Sequence, residues 1–454
     1  MKAALAFFLL PLAMIPSVFA AEKGANQPRR QRDESRMSYL DNGVIRLGID
    51  LTLGGAITFL SASKDRLNVV NNHDWGRQIQ MSHYSGPVPF IVGDKQPHQS
   101  WTGIGWNPIQ SGDVYLNRSK VLEHRNDGRT LYLKCVPMHW PLENVPGECT
   151  YECWITLQGN TAEVRCRFRN ARPDKTQYPA RCQELPAVYA NGPLYRLMTY
   201  RGDQPFSGDG LTEFPPKFPW QSWLATENWA ALVRSDNWGL GIWAADAYAM
   251  SGGFAGKPGA GGEYDGPTGY IAPNQIEIID HNIDYQYRYV LILGSLESIR
   301  RYACDHRPAS LLPEYRFATD RQHWHYVNAV DAGWPIAGEL SIRLEKGHPM
   351  LIGPKDCWPA RDGPALYIEA ASQLGQAQAR VYWTRWDAPQ FSEKMCAPFA
   401  LIDDGQYHVY AVDLHAAPGY TGSITQLRLD PAAQGEPGRW IKLKSMTMRR
   451  RISP

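Results

Sequence analysis

The stretch YECWITLQGNTAEVRCRF, residues 151–168, indicates the fold class more clearly than any other part of the chain. Apolar and polar side chains alternate on both sides of Gly159-Asn160, which is the pattern of two strands that each bury one face. A Gly-Asn pair suits a two-residue hairpin turn. Counting outward from the turn places Cys153 opposite Cys166 in a non-hydrogen-bonded pair, where side chains come closest. The register therefore predicts that the two sulfurs are neighbours, whether bonded or not.

Strand patterns of the same kind dominate the rest of the chain. Residues 44–51 alternate, turn at Gly54-Gly55 and continue through 56–60. A second hairpin is predicted to join 229–233 to 238–243, and two more strands are predicted within 276–293. The best helix candidate is short, residues 296–304. These signals predict an all-β protein.

The length predicts two domains, because 454 residues exceed what one ordinary core supports. We place the first at residues 38–305 and the second at 320–450, where the predicted strands become shorter and turns more frequent. Residues 21–37 are polar and nearly without apolar groups, so they are interpreted as a disordered lead-in.

The first twenty residues have the features of an export signal. Lys2 supplies a positive start, residues 3–15 are apolar, and Val18 and Ala20 are the small residues that precede a cut before Ala21. The apolar run is shorter than the roughly 20 residues of a membrane span. We therefore expect a secreted or periplasmic protein with a cleaved signal peptide and no membrane span.

The composition limits the classes of ligand and partner that the protein is expected to bind. A formal net charge of +2 argues against nucleic acid. The chain has 16 Trp and 23 Tyr, and such aromatic side chains fill β-sandwich cores and also stack on sugar rings. The eight cysteines have no zinc-site spacing, and we find no P-loop or dinucleotide fingerprint, so neither a metal nor a cofactor is expected. Oligomeric state and disulfide pairing stay open.

Two stretches and the C-terminus carry a family resemblance. Residues 42–60 resemble the first strands of galactose-mutarotase-like β-supersandwich proteins, and residues 227–241 are similar to their late strands. The last 50 or so residues resemble the closing strands of jelly-roll domains that accompany glycan-degrading enzymes. The resemblance implies an N-terminal β-supersandwich, a C-terminal jelly-roll β-sandwich and a carbohydrate substrate. The His, His, Glu set of mutarotases is not found in matching positions, and the extra domain points away from simple anomer interconversion.

A dense polar cluster spans residues 71–84 and supplies the first site candidates. From Arg77 onward, Gln80 and Tyr84 share one predicted strand face with Gln78 and Ser82. Amides and hydroxyls in a row suit sugar hydroxyls, which pair with donors and acceptors. We expect Arg77, Gln80 and Tyr84 to bind substrate, with Asp74 and His83 as acid–base candidates, although Arg77 and Asp74 could form a structural ion pair instead.

The following loop and strand add further candidates. Trp106, Asn107 and Gln110 offer a stacking ring with hydrogen-bonding groups, or a packed turn. His139 is a possible acid or base, or a packing residue.

Glu184 is the leading catalytic candidate because it stands alone in an apolar run before Tyr189 and Tyr195. Loss of hydration would raise its pKa and make it a usable general acid. The alternative is an ion pair with Arg181 or Arg196. Tyr189 and Tyr195 are expected to contact substrate, and Trp220 and Trp223 are expected to form a stacking wall.

Three functions are compatible with these patterns. The first is a glycoside hydrolase in which Glu184 works with His83, His139 or Asp74. The second is a polysaccharide lyase in which His or Tyr removes a proton beside a uronate that Arg77 neutralises. The third is a glycan-binding protein without catalysis.

Overall fold

The computed structural model describes residues 32–450, and the fold within that range is almost entirely antiparallel β. The first nineteen strands are β1 Met37–Asp41, β2 Ile45–Asp50, β3 Ala56–Ala62, β4 Pro108–Ile109, β5 Lys120–Asn126, β6 Thr130–Val136, β7 Met138–His139, β8 Cys149–Gln158, β9 Thr161–Asn170, β10 Arg181–Glu184, β11 Val188–Asn191, β12 Arg196–Thr199, β13 Thr212–Phe214, β14 Gln221–Leu224, β15 Trp229–Val233, β16 Trp238–Trp243, β17 Ala249–Ala255, β18 Thr268–Glu277 and β19 Asp284–Ser295. The helix α1 Leu296–Asp305 follows β19. Short 3-10 helices span Glu34–Arg36, Gln99–Ile104 and Ala360–Asp362.

The first half is built from one long sheet facing several shorter ones. Nine strands pair in the order β13-β12-β15-β16-β19-β9-β8-β6-β5. In a second sheet, β10 and β11 lie end to end along β18, which is followed by β17 and β14, and a third sheet has the order β1-β2-β3. Single bridges from Gln80 to Ala187 and from Ile79 to Ile57 connect the second and third sheets. The core between the layers is apolar, with Ile57, Val188 and many other side chains fully or nearly buried.

The second half is a β-sandwich of two six-stranded sheets. Its strands are β20 Glu314–Arg316, β21 His325–Val327, β22 Ala329–Asp331, β23 Leu340–Leu344, β24 Met350–Ile352, β25 Trp358–Pro359, β26 Ala365–Gln373, β27 Gln378–Arg385, β28 Cys396–Ala400, β29 His408–Asp413, β30 Ser423–Asp430 and β31 Trp440–Arg449. One sheet has the order β22-β23-β31-β26-β29, with β20 also on β31, and the other has the order β21-β24-β30-β27-β28, with β25 also on β30. The chain crosses repeatedly between the two sheets, as in a jelly roll. The all-β fold class predicted from the sequence is confirmed.

The hairpin predicted around Gly159-Asn160 forms in the predicted register. Cys153 pairs with Cys166, and their sulfurs lie 3.8 Å apart without a disulfide bond. The second predicted hairpin is β15 and β16, and the predicted helix is α1. All three depend on short-range patterns, which the sequence shows directly.

The polar lead-in ends earlier than predicted. Residues 32–36 have a placed backbone with the 3-10 helix Glu34–Arg36, and β1 begins at Met37. Arg32 is anchored to the first half by its ion pair with Glu263 and by its position over the Phe59 ring, 4.4 Å from the centroid. The predicted signal peptide and residues 21–31 lie outside the described residues.

The predicted domain boundary divides the sheets, but the second sandwich takes in residues before 320. Strand β20 pairs with β31, and Tyr315 and Phe317 belong to the second core. The halves also share contacts, since Trp334 packs against both cores. We predict that the second half folds on its own, and a fragment meant to test this must begin before Glu314.

The Gly54-Gly55 turn gives a stability prediction. Gly54 has a φ of 56°, and a Cβ there would lie 1.9 Å from the carbonyl oxygen of Gln110. We expect Gly54→Ala to lower the free energy of unfolding by about 2 to 4 kcal/mol, from the left-handed backbone and the clash together. Gly43→Ala is the matched control, because Gly43 has a φ of 81° but open space around it; its loss should be about 1 kcal/mol. Equal losses in denaturant titrations of the two variants would contradict the close approach.

Candidate active site

Glu184 lies at the end of β10 on the outer face of the second sheet. It pairs with Asn274 of β18, and Tyr189 of β11 pairs with Tyr270 of the same strand. Paired residues on antiparallel strands share a face, and alternate residues along a strand do so as well. Ile271 points the other way, into the core. Glu184, Tyr189 and Tyr270 therefore project together, away from the core of the first half.

Two tyrosine hydroxyls hold the Glu184 carboxylate. Tyr84 donates to Oε2 at 2.9 Å, and Tyr270 donates to Oε1. Tyr84 and Tyr270 are buried, whereas Glu184 itself is half-buried. The carboxylate thus keeps contact with solvent on the side that the tyrosines leave open.

Neither arginine considered as an ion-pair partner contacts Glu184. Arg181 donates to the carbonyl oxygens of Ile104 at 2.7 Å and Ser85 at 3.1 Å. Arg196 pairs with Glu213 at 2.7 Å. Among the ion pairs of residues 32–450 none involves Glu184, so no cation offsets the loss of hydration.

Burial raises the pKa of Glu184 above its ordinary value. The hydroxyls of Tyr270, Tyr84 and Ser82 act in the opposite direction, because a donated hydrogen bond favours the charged carboxylate. Burial outweighs them. The result is a carboxyl group that holds its proton to higher pH than an exposed glutamate does, which is the property of a general acid.

Three aromatic rings lie beside this carboxylate and form what we call the aromatic platform: Tyr189, Trp220 and Tyr270. The ring centroids of Tyr189 and Tyr270 are 4.8 Å apart, and those of Trp220 and Tyr270 are 5.1 Å apart. Tyr189 and Trp220 are half-buried, and the group is a small apolar cluster separate from the main core. Rings that keep one side toward solvent can stack on the apolar face of a sugar.

Gln183 positions Tyr84 against Glu184. Its buried amide accepts from the backbone N–H of Tyr84 at 2.8 Å and donates to the Tyr84 carbonyl oxygen at 2.9 Å. The Arg181 guanidinium lies 6.0 Å from the Tyr84 ring centroid. Gln183 and Arg181, which lie on β10 with Glu184, thus position the tyrosine that binds its carboxylate.

Asp74 and Arg77 border the same site. They form an ion pair at 3.0 Å, and Arg77 also donates to the Gly266 carbonyl oxygen at 2.6 Å. Both act electrostatically on Tyr189, whose pKa is raised mainly by burial and further by Glu184. The ion pair that the sequence left as an alternative therefore forms, and the side chain of Asp74 is still 44% exposed.

His83 belongs to the core and is not an acid–base candidate. Its ring stacks on Phe168 with centroids 4.2 Å apart, and its Nδ1 lies 3.1 Å from the Tyr151 hydroxyl. Burial lowers its pKa to about 3. The strand alternation explains the error, because Ser82 and Tyr84 point toward Glu184 and the residue between them points away.

His139 and Trp106 are also buried. The His139 Nε2 lies 2.9 Å from a Glu148 carboxylate oxygen, and the ring packs against Phe90 and Trp106. The Trp106 indole N–H donates to the same Glu148 oxygen at 3.3 Å. The prediction that these two residues act on substrate is wrong, because both side chains are buried and are held by Glu148.

The side-chain amides predicted to bind sugar form hydrogen bonds with backbone groups instead. Gln80 donates to the Trp75 carbonyl oxygen at 2.9 Å and accepts from the Ser111 N–H at 3.0 Å. Gln110 accepts from Met81, and Asn107 donates to the His83 carbonyl oxygen. Residues 71–84 make isolated bridges and turns, and such irregular backbone needs side-chain partners. Gln80, Asn107 and Gln110 are therefore structural.

The predicted stacking wall is only partly present. Trp220 joins the aromatic platform, but Trp223 points into the core and packs against Phe214 with centroids 4.8 Å apart. Tyr195 lies edge-on to Phe254. Within residues 32–450, the tyrosine side chains that donate hydrogen bonds to Glu184 are those of Tyr84 and Tyr270, not that of Tyr195. Trp220 directly precedes β14, and Trp223 lies within it three positions further along, so the alternation of an extended chain turns the two rings to opposite sides of the sheet.

Sequence reasoning missed Tyr270 and Gln183. Tyr270 is 86 residues from Glu184, and only the pairing of β10 and β11 with β18 brings them together. Gln183 is next to Glu184, but its role depends on Tyr84, 99 residues away. Neither residue carries a local signal of these contacts.

Within residues 32–450, no helix has the length and apolar character needed to cross a membrane. No protein-family model matches the sequence. The curated proteins that were compared include no match either.

Some solved structures are similar to part of this chain. A galactose mutarotase related enzyme from Lactobacillus acidophilus is 10% identical, with 57% of this chain and 98% of that chain covered and a TM-score of 0.36. A galactose mutarotase-like protein from Lactobacillus casei is 12% identical, with 57% and 99% covered and a TM-score of 0.37. The GH36 α-galactosidase from Geobacillus stearothermophilus is 10% identical, with 59% and 41% covered and a TM-score of 0.36. These structures include galactose mutarotase-like proteins, the group that residues 42–60 and 227–241 resemble, but TM-scores of 0.36 and 0.37 carry no argument about the fold or the activity of this chain.

Proposed function

We propose that this protein is an exported glycoside hydrolase whose general acid is Glu184. One observation carries the proposal: a half-buried carboxyl group with a raised pKa and no cation partner stands beside three aromatic rings. Protonated Glu184 gives its proton to the glycosidic oxygen as the bond to the sugar breaks. The aromatic platform holds the sugar face, and the tyrosine hydroxyls fix the direction of the proton.

Asp74 is the carboxylate that remains for the second role in hydrolysis. Of the three partners considered for Glu184, His83 and His139 are each 0% exposed, whereas Asp74 borders Tyr189 and reaches solvent. A base at this place would activate water against the sugar. Arg77 orients the carboxylate through their ion pair.

A lyase is less well supported by the same geometry. It needs a base beside a uronate and a cation for the uronate carboxylate. The two candidate histidines are buried, and Arg77 is already bound to Asp74 and to the Gly266 carbonyl oxygen. Glu184 would also repel a uronate when it is ionised.

The test is incubation of the protein with a panel of glycans. We expect new reducing ends without the ultraviolet absorbance of an unsaturated uronate. That absorbance would indicate a lyase, and retention of a glycan without any product would indicate a binding protein. Either result would reject the hydrolase.

The pH dependence gives a second check. Tyr84→Phe removes a hydrogen bond that lowers the pKa of Glu184, so that pKa should rise further. The acid is active when protonated, and its activity is lost as pH rises through its pKa. We therefore expect the alkaline limb of the pH–rate profile to move to higher pH. Tyr189→Phe is the control, because Tyr189 donates no hydrogen bond to Glu184 among the described contacts. A limb that moves downward in Tyr84→Phe would contradict the role of Glu184.

A further inference from the structure

A large cleft separates the two halves of the molecule, away from the outer sheet face that carries Glu184. Its volume is about 930 Å³. The first half contributes the loop 244–248 and the facing ends of β18 and β19, and the second contributes the segments 308–315, 319–323 and 354–356. A cleft of this size accommodates a small organic ligand, and its position between two halves is common for such sites.

A histidine with an oriented ring lines this cleft. Nδ1 of His323 donates to Oε1 of Glu277, and the Tyr285 hydroxyl donates to the same oxygen at 2.9 Å. The Glu277 side chain is 6% exposed, whereas that of His323 is 27% exposed. The carboxylate fixes the tautomer, which leaves Nε2 of His323 as the ring atom available to a ligand.

The backbone that presents this ring is strained. Gln322 and His323 have φ values of 52° and 63°, in the left-handed region that residues other than glycine seldom adopt. Such a conformation persists where the surroundings fix it, and it is concentrated at functional sites. Two consecutive residues of this kind bring His323 across to Glu277 of the other half.

The walls combine apolar surface with charges of both signs. Trp334 and Leu311 are half-buried and line the cleft. Asp246, Asp320 and Asp356 line the cleft together with Lys355 and Arg288. Burial raises the pKa of Asp356 to about 7 and lowers that of Lys355 to about 8, so both titrate near neutrality. A polyanion or polycation would meet like charge here, whereas a neutral ligand rich in hydroxyls finds donors and acceptors.

We propose that this cleft is a second ligand site, which takes a neutral saccharide, with a ligand hydroxyl on Nε2 of His323 and an apolar sugar face against Trp334. This proposal rests on the proposed function in one respect, the choice of a saccharide as the class of ligand. Binding there bridges the two halves, since Glu277 belongs to the first and His323 to the second. The site is separate from the aromatic platform and needs neither Glu184 nor Tyr270.

The test is a count of bound ligands by calorimetry on the full chain. The probes are neutral tetrasaccharides of glucose, galactose, mannose and xylose. His323→Asn is the variant of choice, because asparagine tolerates the left-handed backbone and preserves the fold. We expect it to lose one bound equivalent relative to wild type, or to bind that equivalent at least tenfold more weakly. His408→Asn is the control, because His408 lies on β29 away from the cleft.

Asp246→Asn supplies a second variant that does not threaten the fold, since Asp246 is exposed on its loop. It should weaken the same equivalent and leave the melting temperature unchanged. An equal count in wild type and His323→Asn, including the absence of binding in both, would overturn the proposal. The turnover of Glu184→Gln reports separately on the hydrolase, so the two proposals fail independently.

Discussion

Replacement of Glu184 by glutamine should lower turnover on the glycan substrate by about 10² or more and leave its affinity nearly unchanged. Glutamine keeps the shape of the side chain. Its oxygen accepts from one of the two tyrosines, and its amide N–H donates to the other hydroxyl, but it has no acidic proton to give to the leaving oxygen. The stability of the fold should not fall. The raised pKa means that an ionised Glu184 costs stability as pH rises, and glutamine removes that cost.

Steady-state kinetics and a thermal melt of the same preparations check this expectation. Glu297→Gln is the matched control, because the Glu297 side chain on α1 is 79% exposed. It should change neither quantity. A structural Glu184 would show the opposite pattern, with a lower melting temperature in Glu184→Gln and an unchanged specific activity of the folded fraction.

Replacement of Arg321 by methionine should give the largest loss of stability, about 3 to 5 kcal/mol in the free energy of unfolding. Arg321 pairs with Asp280 at 2.7 Å and with Asp331, and none of the three side chains is more than 4% exposed. Asp280 follows β18 in the first half, and Asp331 ends β22 in the second. The variant leaves two buried carboxylates without their cation at the junction of the halves.

Denaturant titration measures this loss of stability. Titrations at several pH values show in which direction the loss changes with pH. Although burial works to raise the pKa of Asp331, Arg321 holds it below the ordinary value of 3.8. The stabilisation is therefore present above that value and is lost as pH falls through the lowered pKa, so the gap between wild type and variant should narrow in acid.

Arg301→Met is the control for an exposed ion pair. Arg301 and Glu297 are 64% and 79% exposed, and their pair should contribute less than about 1 kcal/mol. A loss in Arg321→Met no larger than this would contradict the role of the buried cluster.

Short-range patterns predicted the fold well. The hairpin at Gly159-Asn160 and the helix α1 follow from neighbouring residues, because turn chemistry and alternation fix the register locally. Glu184 was also identified locally, as a lone carboxylate in an apolar run, and in the structure it accepts a hydrogen bond from Tyr84 of the 71–84 cluster.

Other parts of the site depend on contacts that no local pattern reveals. His83 and Tyr84 differ only in the side of the backbone they face, and that side is set by pairing with distant segments. The polar character of Gln80 and Gln110 was recognised correctly, but their partners are backbone groups of irregular loops rather than solvent or ligand. Tyr270 entered the site through the pairing of β18 with two separate strands.

The most direct test of Glu184 as a general acid compares two substrates of different leaving group. A dinitrophenyl glycoside releases a phenolate stable enough to leave without a proton, whereas an unactivated glycoside needs one. The expected result is that Glu184→Gln retains wild-type turnover on the dinitrophenyl glycoside to within about tenfold and loses about 10² or more on the unactivated glycoside. Equal losses on both substrates, or no loss on either, would contradict the assignment of Glu184 as the acid.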